Sequence, residues 1–427
     1  MKFRSERDSL AEVLATAGRA AGSRGGVSAV LSGVLLRTTG NRLEVTGTDL
    51  DLTIRVEQEV IGIDNGSCVV PARLIADVVR SLEPGAVTVE LEEKPGENEY
   101  RVEISSARAR FTLRSFPVVE WPSLPAVPAP TMSLPRSAFA EALRQVVRAA
   151  SNDDARPLLT GVLLTSEGKA VRLVATDSYR LALRDLHGVG APGEGAFTDA
   201  GDVLVPARAL AEVQRLASSN LSSGGAAAGA GGRGERRGLE IAGDPDAPES
   251  SSQAGGEGGG RGASGSQSGT LEPEIGVSAG KTEISFVCGP VQVSTRLLDG
   301  TYPDYKQLLP EHYPNRLHVG RESFLAALRR VRLLVRDNTT PVRLSMRSSG
   351  VDLTVASQDG DASESVDGDF TGEDLVIAFN PNYLIDGVEA VLDDEVFVET
   401  DTPSKPATVR ASGRDDFRYL LMPVRVP

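Results

Sequence analysis

Cysteine, histidine and aromatic residues are all in short supply. Of 427 residues only Cys68 and Cys288 are cysteines, three are histidines (His187, His312 and His318), and aromatics make up 4%. Two cysteines in distant parts of the chain exclude a disulfide framework and a thiolate metal site. The histidines have no Cys or Ser partner in a recognisable arrangement, so neither a zinc site nor a nucleophilic triad is expected. No glycine-rich segment follows a strand and opens a helix with Lys-Ser/Thr, which excludes a phosphate loop. Asp49, Asp51 and Asp177 read as turn residues and not metal ligands, because Asp49 and Asp177 recur at equivalent positions. No catalytic, cofactor or metal site is therefore expected. Long apolar runs are missing too. Nothing approaches membrane-spanning length, and residues 1–6 lack the apolar core of a secretory signal, which predicts a soluble cytoplasmic protein. Lysine is scarce, and 59 Asp+Glu against 45 Lys+Arg leave a net charge of −14. As an average, that balance opposes phosphate binding.

What the chain does have is itself, written three times. Arg7-Asp8-Ser9-Leu10-Ala11-Glu12 returns as Arg136-Ser137-Ala138-Phe139-Ala140-Glu141 and again as Arg321-Glu322-Ser323-Phe324-Leu325-Ala326. Ser32-Gly33-Val34-Leu35-Leu36 answers Thr160-Gly161-Val162-Leu163-Leu164, and Val70-Pro71-Ala72-Arg73 answers Val205-Pro206-Ala207-Arg208. The second interval is longer than the first, and the excess lies at 218–280, a Gly/Ser/Ala-rich stretch without apolar periodicity. Such composition cannot offset its own conformational entropy, so a disordered insertion is expected there. Units of this length are domain-sized, giving boundaries at 1–129, 130–314 and 315–427.

Within copy one, apolar Leu10, Val13, Leu14 and Ala17 predict a helix over 9–21, and Pro71 opens a second over 72–82. Alternating runs predict strands at 33–38, 42–46, 50–60, 87–92, 99–105 and 109–115. Copy two repeats this with a second helix at 207–217, and copy three with one at 382–392. Each copy is thus α+β, two helices packed on antiparallel sheets. Charge is segregated within that plan. Arg73 and Arg80, Arg208 and Arg215, Arg144 and Arg148, and Arg329, Arg332 and Arg336 form single helical stripes, while acids gather in the strand runs. One such stripe is an ordinary solvated face; its recurrence in equivalent helices suggests a basic surface. Asp386 and Glu389, in the last helix, break the pattern.

Several runs resemble the bacterial sliding clamp, the β subunit of DNA polymerase III. They are Thr46-Gly47-Thr48-Asp49-Leu50, Ala175-Thr176-Asp177-Ser178-Tyr179-Arg180-Leu181, Asp299-Gly300-Thr301-Tyr302-Pro303-Asp304-Tyr305, Phe379-Asn380-Pro381-Asn382-Tyr383 and Tyr419-Leu420-Leu421-Met422-Pro423-Val424-Arg425. The resemblance covers all but the 218–280 insertion, whose Gly/Ser-rich character suggests a high-GC, actinobacterium-like source. It implies a non-catalytic replication processivity factor. Two chains would close head to tail into a ring with helices lining the hole around duplex DNA, held without sequence specificity. Partners would be the DNA polymerase III α subunit, the clamp loader, and other polymerases and repair proteins carrying short linear motifs. A clamp-like paralogue, serving as a spare or partner-binding copy, is the alternative.

By matching motif, Arg24, Arg73 and Arg208 would face DNA, with Arg80, Arg144, Arg148, Arg156 and Arg215 as further candidates; Asp153-Asp154 weakens the loop carrying Arg156. The partner-peptide pocket would comprise Leu159, Thr176, Ser178, Tyr179, Arg180, Leu181, Pro303, Leu308, Asn380, Tyr383, Met422, Pro423, Val424 and Arg425. An apolar chain end suits such a pocket, since termini are ordinarily polar and frayed. Ser178-Tyr179 replaces the commoner Gly-His and Val426-Pro427 extends the usual ending, so motif preference is expected to differ. Ring closure would use Leu333 and Leu334 against Leu74, Val78, Leu82 and Phe111.

Overall fold

The computed structural model describes residues 1–22, 28–93, 100–187, 201–219, 273–310, 312–336 and 340–425. Arg24, most of the expected insertion and the Val426-Pro427 ending lie outside them.

Copy one runs β1 (Lys2–Glu6), α1 (Arg7–Gly18), β2 (Gly33–Thr39), β3 (Arg42–Thr48), β4 (Leu52–Glu59), β5 (Ile61–Asp64), β6 (Gly66–Pro71), α2 (Ala72–Ser81), β7 (Ala86–Glu93), β8 (Tyr100–Ser106) and β9 (Ala109–Arg114). Copy two follows with β10 (Met132–Pro135), α3 (Arg136–Val146), β11 (Gly161–Glu167), β12 (Ala170–Thr176), β13 (Arg180–Leu186), β14 (Val203–Pro206), α4 (Ala207–Ala217), β15 (Glu274–Ala279), β16 (Glu283–Cys288) and β17 (Val291–Arg296). Copy three is β18 (Asn315–Gly320), α5 (Arg321–Val331), β19 (Val342–Arg347), β20 (Gly350–Ser357), β21 (Gly360–Thr371), β22 (Leu375–Phe379), α6 (Pro381–Ala390), β23 (Glu395–Thr400), β24 (Ala407–Ala411) and β25 (Phe417–Leu421).

Local chemistry sets the helix starts. Pro71 and Pro206 precede α2 and α4 with φ of −55° and −53°, values the pyrrolidine ring fixes in advance. Amphipathic spacing then turns one face inward: α2 buries Ala72, Ile75, Ala76, Val78 and Val79 and leaves Arg73, Leu74, Asp77 and Arg80 outside.

Strand pairing joins the copies. β17 of copy two pairs antiparallel with β4 of copy one, Val293 opposite Ile54, and β25 of copy three pairs with β13 of copy two, Leu183 opposite Arg418. The sheets therefore run on across both seams. The helices follow suit: Arg19, just past α1, reaches Glu212 of α4 at 2.6 Å, and Gln145 of α3 donates to the Ala390 carbonyl at 2.7 Å. Each seam thus sets the first helix of one copy against the second helix of the next.

Two edges among the described residues matter for the seams. β9 ends the five-stranded sheet with β8 as its only partner, and over residues 360–367 β21 pairs with β20 alone. By position in their copies they are the counterparts of β17/β25 and of β4/β13, the very strands that make the seams.

The structure corrects three expectations. Glu274–Ala279 is a strand and not insertion: it pairs with β10, Met132 opposite Val277, and buries Ile275 and Val277. Its short apolar alternation is hidden by flanking glycines. The third strand starts at Leu52, because Asp49–Asp51 forms a turn. Val78 and Leu82 are 9% and 5% exposed and belong to the core of their own copy, so they are not free for an interface.

Candidate functional site: a groove at the second seam

The groove is built around one tight turn. Thr176 Oγ1 donates to the Arg180 carbonyl at 2.6 Å and accepts from the Ser178 amide at 3.1 Å. Asp177 Oδ1 accepts from the amides of Tyr179 and Arg180 at 2.9 and 3.0 Å. This closes the loop on Ser178 at φ +79°, a left-handed conformation that side chains rarely adopt. The turn leaves Tyr179 58% exposed at the groove mouth.

Arg180 locks the two copies together. Its guanidinium pairs with Asp177 at 3.0 Å and Asp386 at 2.5 Å, donates to Tyr419 Oη at 3.2 Å, and lies 4.4 Å above the Tyr383 ring. Burial lifts the Tyr419 hydroxyl well above its ordinary pKa although the Arg180 charge opposes this, so the phenol stays protonated. Gly387 makes room for that ring: a Cβ there would sit 2.5 Å from Tyr419 Cδ1.

Across the seam, Asn380 caps α6 by accepting from the Asn382 and Tyr383 amides at 2.9 and 3.3 Å. Tyr383 stacks on Tyr179 with centroids 6.5 Å apart. The chain end is tied by its backbone, Met422 N to Tyr179 O at 2.9 Å and Val424 N to Ala378 O at 2.8 Å. Met422, Pro423 and Val424 are half-buried and Arg425 is exposed. Beneath lies a small cluster separate from the main core, in which Leu163, Val174, Leu181 and Tyr305 of copy two meet Leu420 of copy three. Leu159 is buried, while Pro303 and Leu308 are exposed. Thr176, Ser178, Tyr179, Arg180, Tyr383 and Met422 thus meet at the seam, a partly apolar surface with fixed polar groups of a form suited to an extended peptide. A concavity of about 860 Å³ lies beside this groove in copy two, lined by Asp202, Lys281, Arg296, Tyr302 and Pro303 among others.

Asp177 fixes the turn as expected, but the part it plays here with Asp386 and Arg156 was not read from sequence. Asp177 and Asp386 hold Arg180, and Arg156 braces the turn by donating to the Asp177 carbonyl at 3.3 Å while pairing with Asp153 at 3.0 Å. The acidic exception in α6 was the available signal for Asp386.

The arginine stripes form the second surface. Arg73, Arg80, Arg208, Arg215 and Arg144 are exposed, and the first four have carboxylate neighbours: Asp77 at 3.8 and 3.6 Å, Asp49 at 2.6 Å and Glu212 at 3.2 Å. Arg148 departs from expectation. It is half-buried and bridges to Asp386 at 3.6 Å and Glu389 at 3.3 Å, so it ties the second seam and is not free for DNA. At the chain's ends Leu74, Phe111 and Leu333 are exposed, whereas Leu334 packs against the core. Among the described residues no three His, Cys, Asp or Glu side chains cluster as metal ligands, and no helix is long and apolar enough to cross a membrane.

Three modules of one plan joined edge to edge define a repeat-built scaffold. Family comparison agrees module by module. Residues 1–125, 133–223 and 306–425 match the N-terminal, central and C-terminal domains of the DNA polymerase III beta subunit. The beta sliding clamp of Streptomyces coelicolor is 32% identical over 433 residues, covering 100% of both chains. The sliding clamp of Bartonella birtlesii, solved bound to griselimycin, superposes with a TM-score of 0.80 at 26% identity over 100% of both chains. The Bacillus subtilis clamp gives 0.80 at 24% identity, again over 100% of both. The chain belongs to the beta sliding clamp family.

Proposed function

We propose that two copies of this chain close head to tail into a ring that encircles duplex DNA and tethers polymerase III and other motif-bearing proteins through the second-seam groove. The observation that carries the reading is the repetition of the seams. Two are made inside the chain by the same strands and helices, and one matching set of edges, β9 with α2 and β21 with α5, is left open. Their charges are complementary: β9 carries Arg110 and Arg114, and β21 carries Asp361, Glu364 and Asp367. Exposed Phe111, Leu74 and Leu333 supply the apolar part.

Encirclement reconciles an acidic protein with DNA. A topological link needs little affinity, and arginines already shared with carboxylates make loose, sequence-independent phosphate contacts that favour sliding. Such a ring is a non-catalytic processivity factor of the cytoplasm. The Streptomyces relative supports an actinobacterial source.

The test is retention on nicked circular DNA that is lost when the circle is cut. Equal retention on linear DNA, or a strict monomer of 44.9 kDa in solution, would overturn the ring.

A further inference from the structure

The first seam carries a second groove built like the one at the second seam. Thr48 Oγ1 accepts from the Leu50 amide at 3.0 Å and donates to the Leu52 carbonyl at 3.1 Å. Asp49 Oδ1 accepts from the amides of Asp51 and Leu52 at 3.1 and 2.8 Å. Leu50 stands at φ +81°, as Ser178 does at +79°. The strand leaving the seam is tied alike, Arg296 N to Asp51 O at 3.1 Å matching Met422 N to Tyr179 O at 2.9 Å. Between this turn and the β15–β16 hairpin lies a groove of about 220 Å³.

Part of its wall is a segment of the same chain. The linker between copies one and two lines it from residue 124 to residue 128. Arg55 Nη2 donates to the Pro125 carbonyl at 2.9 Å. Leu124 and Val127 are half-buried while Pro125, Ala126 and Pro128 are exposed, the pattern of a peptide seated by two anchors. Prolines at 122, 125, 128 and 130 hold the segment extended at low entropic cost, as in proline-rich ligands of apolar grooves.

We infer that the first-seam groove is a second peptide-receiving site, specific for a short, extended, proline-containing apolar segment, and that the chain's own Leu124-Pro125-Ala126-Val127-Pro128 is its resident ligand. Each chain then presents one open groove and one closed in cis. The inference rests on reading the second seam as a peptide groove. Thr53 stands where Leu181 stands at that seam, so the first-seam floor is less apolar and its hold on a peptide in trans weaker.

The experiment uses the full chain with residues 124–128 replaced by Gly-Ser-Gly-Ser-Gly and a fluorescein-labelled Ser-Leu-Pro-Ala-Val-Pro-Ala-Pro probe. One probe per chain should bind the replaced variant saturably and the wild type at least about tenfold more weakly. Arg55→Ala in the replaced chain should cost about tenfold more, the size expected for a charge-assisted hydrogen bond. No saturable binding to a variant that keeps its native melting profile would overturn the inference, as would indifference to Arg55→Ala. If the replacement prevents folding, Arg55→Ala in the intact chain decides: hydrogen exchange across residues 120–131 should rise about tenfold, and unchanged exchange would refute the clamp. A second probe, an apolar clamp-binding motif, reports the other groove through its loss on deleting residues 422–427. Failure of that arm alone would sink the second-seam reading and leave the linker result standing.

Discussion

Leu333 stands where Arg19 and Arg148 stand in the preceding copies, each at the same distance beyond the first residue of its helix, Arg7, Arg136 and Arg321. The arginines cross the in-chain seams to carboxylates, whereas Leu333 is 80% exposed. The proposed seam between chains would thus be apolar where the seams within the chain are ionic. Leu333→Asp should leave the fold intact, because the side chain touches little of its own copy. Burying a leucine contributes about 1.5–3 kcal/mol, so the dimer dissociation constant should rise tenfold or more. Analytical ultracentrifugation at falling concentration checks this, and an undiminished dimer would contradict the proposed closure.

Arg73 and Arg148 should separate on DNA. Losing a phosphate contact reduces the salt slope of binding by about 0.9. Arg73→Ala should do this with little change in melting temperature. Arg148→Ala should do the reverse, lowering the melting temperature by a few degrees through loss of the Asp386 and Glu389 pairs while leaving the slope alone. Titrations on nicked circles across a salt series distinguish them.

At the groove, Arg180→Lys keeps the charge but loses the flat guanidinium over Tyr383 and the fork toward Asp177 and Asp386. Motif-peptide affinity should fall about tenfold. A double-mutant cycle with Tyr383→Ala should return a coupling of about 1 kcal/mol, in the range of cation–π pairs. Zero coupling would mean the stacking carries no energy.

Acid should loosen the second seam. Burial raises the Glu389 carboxyl, but hydrogen bonds from Arg329 and Arg148 outweigh it and hold the pKa below the usual range. A folded pKa below the unfolded value, about 4.3 for glutamate, contributes stability that is complete above that pH and lost as pH falls through the folded value. The wild type should therefore melt higher than Glu389→Gln at pH 6, and the two should converge as pH drops below about 4. A constant offset down to pH 3 would show that Glu389 is not held as described.

Cys68 is fully enclosed, and burial pushes its thiol up to about 12. It should resist maleimide at pH 8 in the native ring and react only on unfolding. Rapid native labelling would mean that copy one opens locally.

The modules were legible because each copy rewrites its own constraints. Thr48-Asp49 and Thr176-Asp177 recur since the turn needs a hydroxyl and a carboxylate at adjacent positions. The meeting of the second and third copies was legible in part, in the apolar run 420–424 that the structure ties to Tyr179 and Ala378. Partners were not. A helical stripe looks alike whether it meets its own sheet, as Val78 does, or stands in the open, as Leu74 does. Arg148 reads as a basic face until Glu389, 241 residues away, is brought against it. Strand β15 was lost for want of context, since Ile275 and Val277 make too short an alternation to stand out from a glycine-rich background.

The seams have one more consequence, for assembly in the wrong form. A chain with two unlike, mutually fitting ends is a tile, and whether tiles make a closed band or an endless helix depends only on the angle each joint contributes. Within the chain that angle is set by the β17–β4 and β13–β25 backbone ladders and by contacts across them such as Arg180 with Asp386. A change that shifted either ladder would open the joint, and the same edges that ought to meet would slide past each other and recruit further chains. Fibres in the electron microscope, not monomers, are the signature of a misangled joint.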